Sequence, residues 1–360
     1  MKADPDSLAL WRRLGYTLYF THEEVALHND AAGFREELGR HGPDTTRPIG
    51  TDAAIAYCRR LAGGHYENFT VISSLVPADL RDDFASVYAF CRWADDLGDE
   101  IGDPEQSTRL LQWWKQQLHA CFSGEPEHPV FEALDVTRRR HQLPIEPFED
   151  LIEAFLLDQH CTRYKTWNQL LDYCKLSADP VGRLVLMLLG EPRNGRVVEC
   201  SDRICTALQL TNHFQDVNRD FSERNRIYIP SELIKIPDFE DRLGRTISQG
   251  FAVDEQFMQQ SRDLVRDCVE RTWPLFIEGR EILDHLKPGS RPVIRLFIDG
   301  GMHILRSIES WNYETILHRP RLTRARKLML VGRAWISSRF NGRRGTPARV
   351  QADPVDGSAA

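Results

Sequence analysis

Apolar residues recur at three- and four-residue spacing along most of this chain, and that period leaves little room for anything but helices. The pattern predicts helices over Leu80–Glu100, Ser107–Phe122, Pro147–Asp158, Asn168–Leu189, Gly195–Phe221, Asp254–Leu286 and Pro292–Ile316. Helix breakers separate them at Gly124 to Pro129, Leu143-Pro144, Gly190 to Gly195, Arg224 to Pro237 and Pro288 to Pro292. Strand signals are scarce. No long two-residue alternation occurs, and neither Asn194-Gly195 nor Asn341-Gly342 lies between β-branched runs. No repeat of solenoid period is visible. The expectation is a single all-α helical bundle over 49–318, with short connections. Residues 1–48 form an extension of unassigned role, in which 28–48 reads as a loose linker.

Composition narrows the classes. The chain is 41% hydrophobic and 28% charged, as folded soluble domains are. No uncharged apolar run approaches the roughly 18 residues of a membrane span. The first thirty residues contain Asp4, Asp6, Glu23 and Glu24 and no apolar core, so no secretory leader is expected. A net charge of -7 argues against a nucleic-acid partner. The eight cysteines form no C-x-x-C pair, so they are expected reduced, packed as small hydrophobes in a cytoplasmic protein. Residues 319–349 hold ten Lys/Arg and no acid, interleaved with Leu322, Leu328, Leu330, Val331, Trp335 and Ile336. Within the C-terminal segment and tail 319–360, this basic amphipathic stretch reads as a peripheral membrane contact over 319–344, on the inner face of the membrane. Equally, it reads as a terminal helix packed on the domain.

Two helices carry the chemistry. In the first, an almost wholly apolar run from Val87 ends in Asp95, Asp96 and Asp99. Asp95 and Asp99 are four apart and share a face, which Asp96 flanks. Arg92 cannot neutralise three buried aspartates, so a cation is missing. In the second, Asn212, Asp216 and Asp220 are each four apart in one stripe, with Gln209 a turn earlier, while Leu210, Phe214 and Val217 supply the buried side. One such motif alone reads as a solvated helix face. Two of them on apolar helices read as oxygen-only ligands for Mg²⁺, with Mn²⁺ the alternative ion. Facing each other, they would clamp a diphosphate at the mouth of an apolar cavity and promote its departure.

These residues resemble a known family. Tyr88-Ala-Phe-Cys-Arg-x-x-Asp-Asp-x-x-Asp and Gln209-Leu-Thr-Asn-x-x-Gln-Asp-Val-x-x-Asp, followed by Arg-x-Arg-Ile-Tyr-x-Pro230, resemble the squalene/phytoene synthases. The resemblance spans roughly 52–330. It implies the isoprenoid synthase bundle and Mg²⁺-dependent chemistry on prenyl diphosphates. Asp95, Asp96 and Asp99 match its first aspartate-rich motif. Asn212, Asp216 and Asp220 match the second, with Gln209 accompanying. Arg92 and Arg226 match basic residues near diphosphate, Phe69 matches a cavity aromatic, and Tyr173 matches a tyrosine near the reacting carbons.

Two departures point within the family. His65-Tyr66-Glu67-Asn68-Phe69 replaces Ser-x-Ser-Phe, and Ser177-Ala178-Asp179-Pro180-Val181-Gly182 replaces Val-Ala-Gly-x-Val-Gly. Both resemble the bacterial hydroxysqualene synthases of hopanoid biosynthesis. That resemblance implies presqualene diphosphate as substrate, water as the quenching nucleophile and no NADPH. An association with the enzyme that makes presqualene diphosphate is also implied. Pro180 is expected to kink its helix, and Ser177 with Asp179 to hold the water; alternatively Asp179 merely caps the next helical piece. Asp158, ending an apolar helix, is expected to hydrogen-bond a partner near the cavity. The rival readings are condensation of two prenyl diphosphates to squalene or phytoene, and a noncatalytic helical partner subunit.

Overall fold

The computed structural model describes residues 33–64 and 75–320. Helices follow in the order α1 (Thr51–Gly64), α2 (Arg81–Asp99), α3 (Pro104–Ser123), α4 (Pro129–His141), α5 (Glu146–Asp158), α6 (Trp167–Ser177), α7 (Asp179–Leu188), α8 (Arg196–Gln215), α9 (Val217–Arg224), α10 (Phe239–Gln249), α11 (Glu255–Gly279), α12 (Ile282–His285) and α13 (Arg291–Ser310). No strand occurs among the described residues, where a single isolated bridge pairs Arg163 with Ile227. Local chemistry sets the ends. Asp103 accepts from the Gln106 amide at 2.9 Å with Pro104 opening α3, and Gly124 closes it with φ 89°. Asp254 caps α11 in the same way through the Phe257 amide.

Two apolar clusters make the core. α2, α3, α4 and α5 bury Phe90, Trp93, Trp114, Phe131 and Phe148, with Trp93 stacked on Trp114 at 5.3 Å. α8, α11 and α13 bury Leu210, Phe214, Phe257, Phe276 and Leu305 in the other. α7 belongs to both: Leu184 and Leu188 enter the first and Leu186 the second. It presses close to α8, because a Cβ on Gly182 would meet Cys205 Sγ at 2.4 Å and Ser201 Oγ at 2.6 Å. All eight cysteines are free thiols, five of them buried, as expected of small hydrophobes.

The structure revises several boundaries. The helix expected over Asn168–Leu189 breaks at Ala178, where Pro180 takes a first-turn position in α7 and loses no useful donor. The one expected over Gly195–Phe221 breaks at Asp216 (φ -106°, ψ 21°). The stretch over Asp254–Leu286 divides into α11 and α12, and the last helix stops at Ser310. α1, α4 and α10 had no counterpart among the expected helices. Part of the linker expected over 28–48 is helical at 33–41, where Phe34 is buried edge-on to Trp93 and Tyr57 donates to Glu37.

Candidate active site

α2 carries Arg92, Asp95, Asp96 and Asp99 toward the turn that follows α9. Arg92 and Asp96 are one turn apart, and the pair closes within the helix: Nε donates to Asp96 Oδ2 at 2.9 Å, and Nη2 lies 2.7 Å from Oδ1. Asp99 faces across to the other element. Arg226 Nη1 donates to its Oδ1 at 2.9 Å, and Arg224 Nε lies 2.9 Å from its Oδ2. These two guanidiniums tie the end of α2 to the end of α9, so the two aspartate-rich segments share one site.

The break at Asp216 does not destroy the stripe. The Asp216 amide still donates to the Asn212 carbonyl at 2.9 Å, and the Asp220 amide to the Asp216 carbonyl at 2.8 Å. Asn212, Asp216 and Asp220 therefore stay on neighbouring turns, with Asn212 exposed, Gln209 half-buried and the two aspartates recessed. Arg319 reaches in from the far end of the chain and clamps Asp216 with two contacts, at 2.5 and 2.7 Å. Its delivery is built. Glu314 accepts from the amides of Ile316 and Leu317, while Asn218 and Gln215 donate to the carbonyls of Ile316 and Pro320. Sequence reasoning read the segment from Arg319 onward equally as a membrane contact or a helix packed on the domain, and missed this contact; no local signal links it to a residue 103 positions away.

The carboxylates outnumber their partners. Burial pushes Asp96 up to about 8 against the pull of Arg92. Burial and then the Asp216 charge push Asp220 up to about 7. Asp95 is raised as well, by partial desolvation and by the Asp99 charge one turn on. Crowded acids of this kind mark a place for added positive charge. The donor set fits a hard divalent cation, being oxygen throughout. Among the described residues no three His, Cys, Asp or Glu side chains close into a ready cage. A Mg²⁺ ion completes its shell with phosphate oxygens and water and needs only one or two carboxylates.

Behind Arg226 the wall turns aromatic. Tyr173 on α6 is buried and donates to Asp158 Oδ2 at 2.7 Å; Tyr228 donates to Oδ1 at 3.3 Å. Burial lifts Asp158 to about 7, with Arg226 opposing. Asp158 thus finds its partners in Tyr173 and Tyr228. Asp179 opens α7 without bonding an amide of its own first turn, so it is not a cap; it accepts from Thr206 Oγ1 on α8 at 2.9 Å. Ser177 Oγ is buried without a partner. Phe69 and His65 to Asn68 lie outside the described residues.

The model of the family described as squalene/phytoene synthase matches residues 62–326. The chain belongs to the squalene/phytoene synthase family. It is similar to the hydroxysqualene synthase of Zymomonas mobilis, 37% identical over 174 residues, which are 48% of this chain and 58% of that relative. That alignment therefore spans little more than half of the relative's length. The phytoene synthase of Thermus thermophilus is 30% identical over 299 residues, covering 82% of this chain and 95% of its own. Among solved structures, squalene synthase HpnC from Alicyclobacillus acidocaldarius superposes with a TM-score of 0.63 at 40% identity, covering 74% and 97% of the two chains. These likenesses establish the isoprenoid synthase fold and an enzyme of this family.

Proposed function

We propose that this enzyme ionises presqualene diphosphate and passes the rearranged cation to water, giving hydroxysqualene. The observation that carries the reading is the junction of the two aspartate-rich segments through Arg224, Arg226 and Asp99. Likeness to a hydroxysqualene synthase and the Ser177–Asp179 variant support the choice of reaction within the family.

Asp95, Asp96, Asp99, Asn212, Asp216 and Asp220 would hold Mg²⁺, with Mn²⁺ as substitute. When bound, the ion supplies the charge that stabilises the departing diphosphate. Arg92 keeps Asp96 oriented, and Arg226 adds direct positive charge. Gln209 supplements Asn212 on the stripe. Tyr173 presents its π-face to the cation, and the sequence match alone assigns Phe69 the same role. Ser177 Oγ, buried and unpaired, and the Asp179 carboxylate hold the attacking water, whose proton passes to the departing diphosphate. The carbon–oxygen bond lost to diphosphate is replaced by one to water, so no hydride and no NADPH are needed.

The decisive experiment incubates purified protein with presqualene diphosphate and Mg²⁺ without NADPH. A C30 alcohol that takes up ¹⁸O from labelled water is expected. No alcohol there, with squalene or phytoene formed from shorter diphosphates, would replace this reading by the condensing one. The Thermus likeness, long and nearly complete, is the observation that favours that second reading.

No helix among the described residues is long and apolar enough to cross a membrane. Apolar substrate and product nevertheless suit a cytoplasmic enzyme held at the inner membrane face through 319–344, beside the enzyme that makes presqualene diphosphate. Most of that segment lies outside the described residues. Flotation with anionic liposomes, lost on its deletion, is the expected result.

A further inference from the structure

Arg226 serves two carboxylates with one nitrogen. Its Nη1 is 2.9 Å from Asp99 Oδ1 on the diphosphate side and 3.7 Å from Asp158 Oδ2 on the other. Asp158 has 4% of its surface exposed, and its two oxygens also receive Tyr173 and Tyr228. Tyr228 in turn stacks on His213 at 3.6 Å and on Tyr164 at 5.8 Å, so its phenol cannot swing away. One carboxylate thus gathers α6, the strand-like turn after α9 and, through Arg226, the end of α2.

A buried carboxylate is a costly way to hold two phenols together. An amide or an apolar side chain of the same size would fill the space with less desolvation. A role beyond packing explains its presence. We infer that Asp158 is a positioning residue, whose carboxylate locks the Tyr173 phenol and the Arg226 guanidinium into one unit and so fixes the distance from aromatic wall to diphosphate. The inference rests on the proposed reaction for the roles of those two residues. Asp158 acts through Tyr173 and Arg226 and is not among the residues assigned to the ion.

The test is Asp158→Asn, which keeps the volume, with Asp158→Glu and Tyr173→Phe beside it. Melting temperature without metal should stay level or rise in Asp158→Asn, because a buried charge is gone. Turnover should fall about 10²-fold, as for a misplaced catalytic frame, with KM moving less than about threefold. The loss in Asp158→Asn/Tyr173→Phe should match the larger single loss, since the residues act as a unit. Asp158→Glu should recover part of the turnover. A drop of several degrees with turnover within twofold, or losses that multiply in the double variant, would overturn the inference.

Failure of the proposed reaction looks different. There, wild type itself makes no hydroxysqualene, and the same comparison is made on whichever of farnesyl or geranylgeranyl diphosphate it consumes. Should it consume neither, calorimetry with inorganic diphosphate and Mg²⁺ decides. Weaker binding in Asp158→Asn at unchanged melting temperature supports the positioning role, and equal binding removes it.

Discussion

Replacing Arg319 by Gln removes the cation that now sits on Asp216. The pair is bidentate at 2.5 and 2.7 Å, with 36% of the Arg319 and 16% of the Asp216 side chain exposed. Unit charges about 4 Å apart attract by about 4 kcal/mol at an effective dielectric of 20. Partial exposure, screening and the ordering of a long side chain reduce the net value to about 1 kcal/mol. The supporting turn survives the change, because Glu314, Gln215 and Asn218 hold it through backbone groups. Without metal, the melting temperature should fall by about 1–3 °C. A divalent ion that uses Asp216 must first displace the guanidinium. Its affinity should therefore rise about fivefold, the equivalent of about 1 kcal/mol. Mn²⁺ binding followed by electron paramagnetic resonance measures this directly, and Mg²⁺ calorimetry repeats it. A lower melting temperature with unchanged or weaker metal binding would refute the assignment of Asp216 as a ligand.

Metal-free stability should fall as pH rises. Asp96, Asp158 and Asp220 titrate near 8, 7 and 7 when folded, above the unfolded carboxylate, so the native state binds more protons. Their contribution is complete below about pH 4 and lost as pH rises through those values, so metal-free melting temperature should fall from pH 6.5 to 9. Mg²⁺ should stabilise more at pH 8.5 than at 6.5, and equal stabilisation would count against carboxylate ligation. His128 and His213 are held neutral by burial, which adds the opposite loss below about pH 6.5. Asp220→Asn should cut turnover by at least about 10²-fold while leaving the metal-free protein as stable or more so, since it relieves repulsion with Asp216. Near-normal turnover would remove Asp220 from the site. Gly182→Ala should cost about 2 kcal/mol in urea denaturation by driving α7 off α8, and adding Cys205→Ala should recover part of it.

Local pattern revealed α2 and the run from α8 into α9 because each combines an apolar stretch with carboxylates at helical spacing. Their meeting could be anticipated as chemistry, though not as geometry. The contact is made by Arg226 on Asp99, 127 positions apart, and no local period encodes it. α4 was hidden because its second half, from Asp135 to His141, is mostly charged, and its buried apolar residues, Pro129, Val130, Phe131, Ala133 and Leu134, crowd into the first two turns. The break at Asp216 was equally invisible. Backbone bonds at four-residue spacing continue across it, so a spacing argument gives the same faces with or without it. Asp158 could be suspected from its place at the end of an apolar helix, but its phenol partners come from two other segments.

Four of the eight thiols, all buried, offer a stopwatch for each half of the molecule. Burial pushes Cys58 and Cys121 up to about 12 and raises Cys174 and Cys268 as well, so these four hold almost no reactive thiolate in the closed protein. Each can be alkylated only during an opening of its own surroundings. Cys58 and Cys121 belong to the cluster around Trp93, while Cys174 and Cys268 belong to the one around Phe214. Peptide-resolved labelling of the unaltered enzyme under native conditions therefore times the breathing of the two halves separately. A diphosphate and its ions, bridging α2 to α9, should make the two clocks keep the same time.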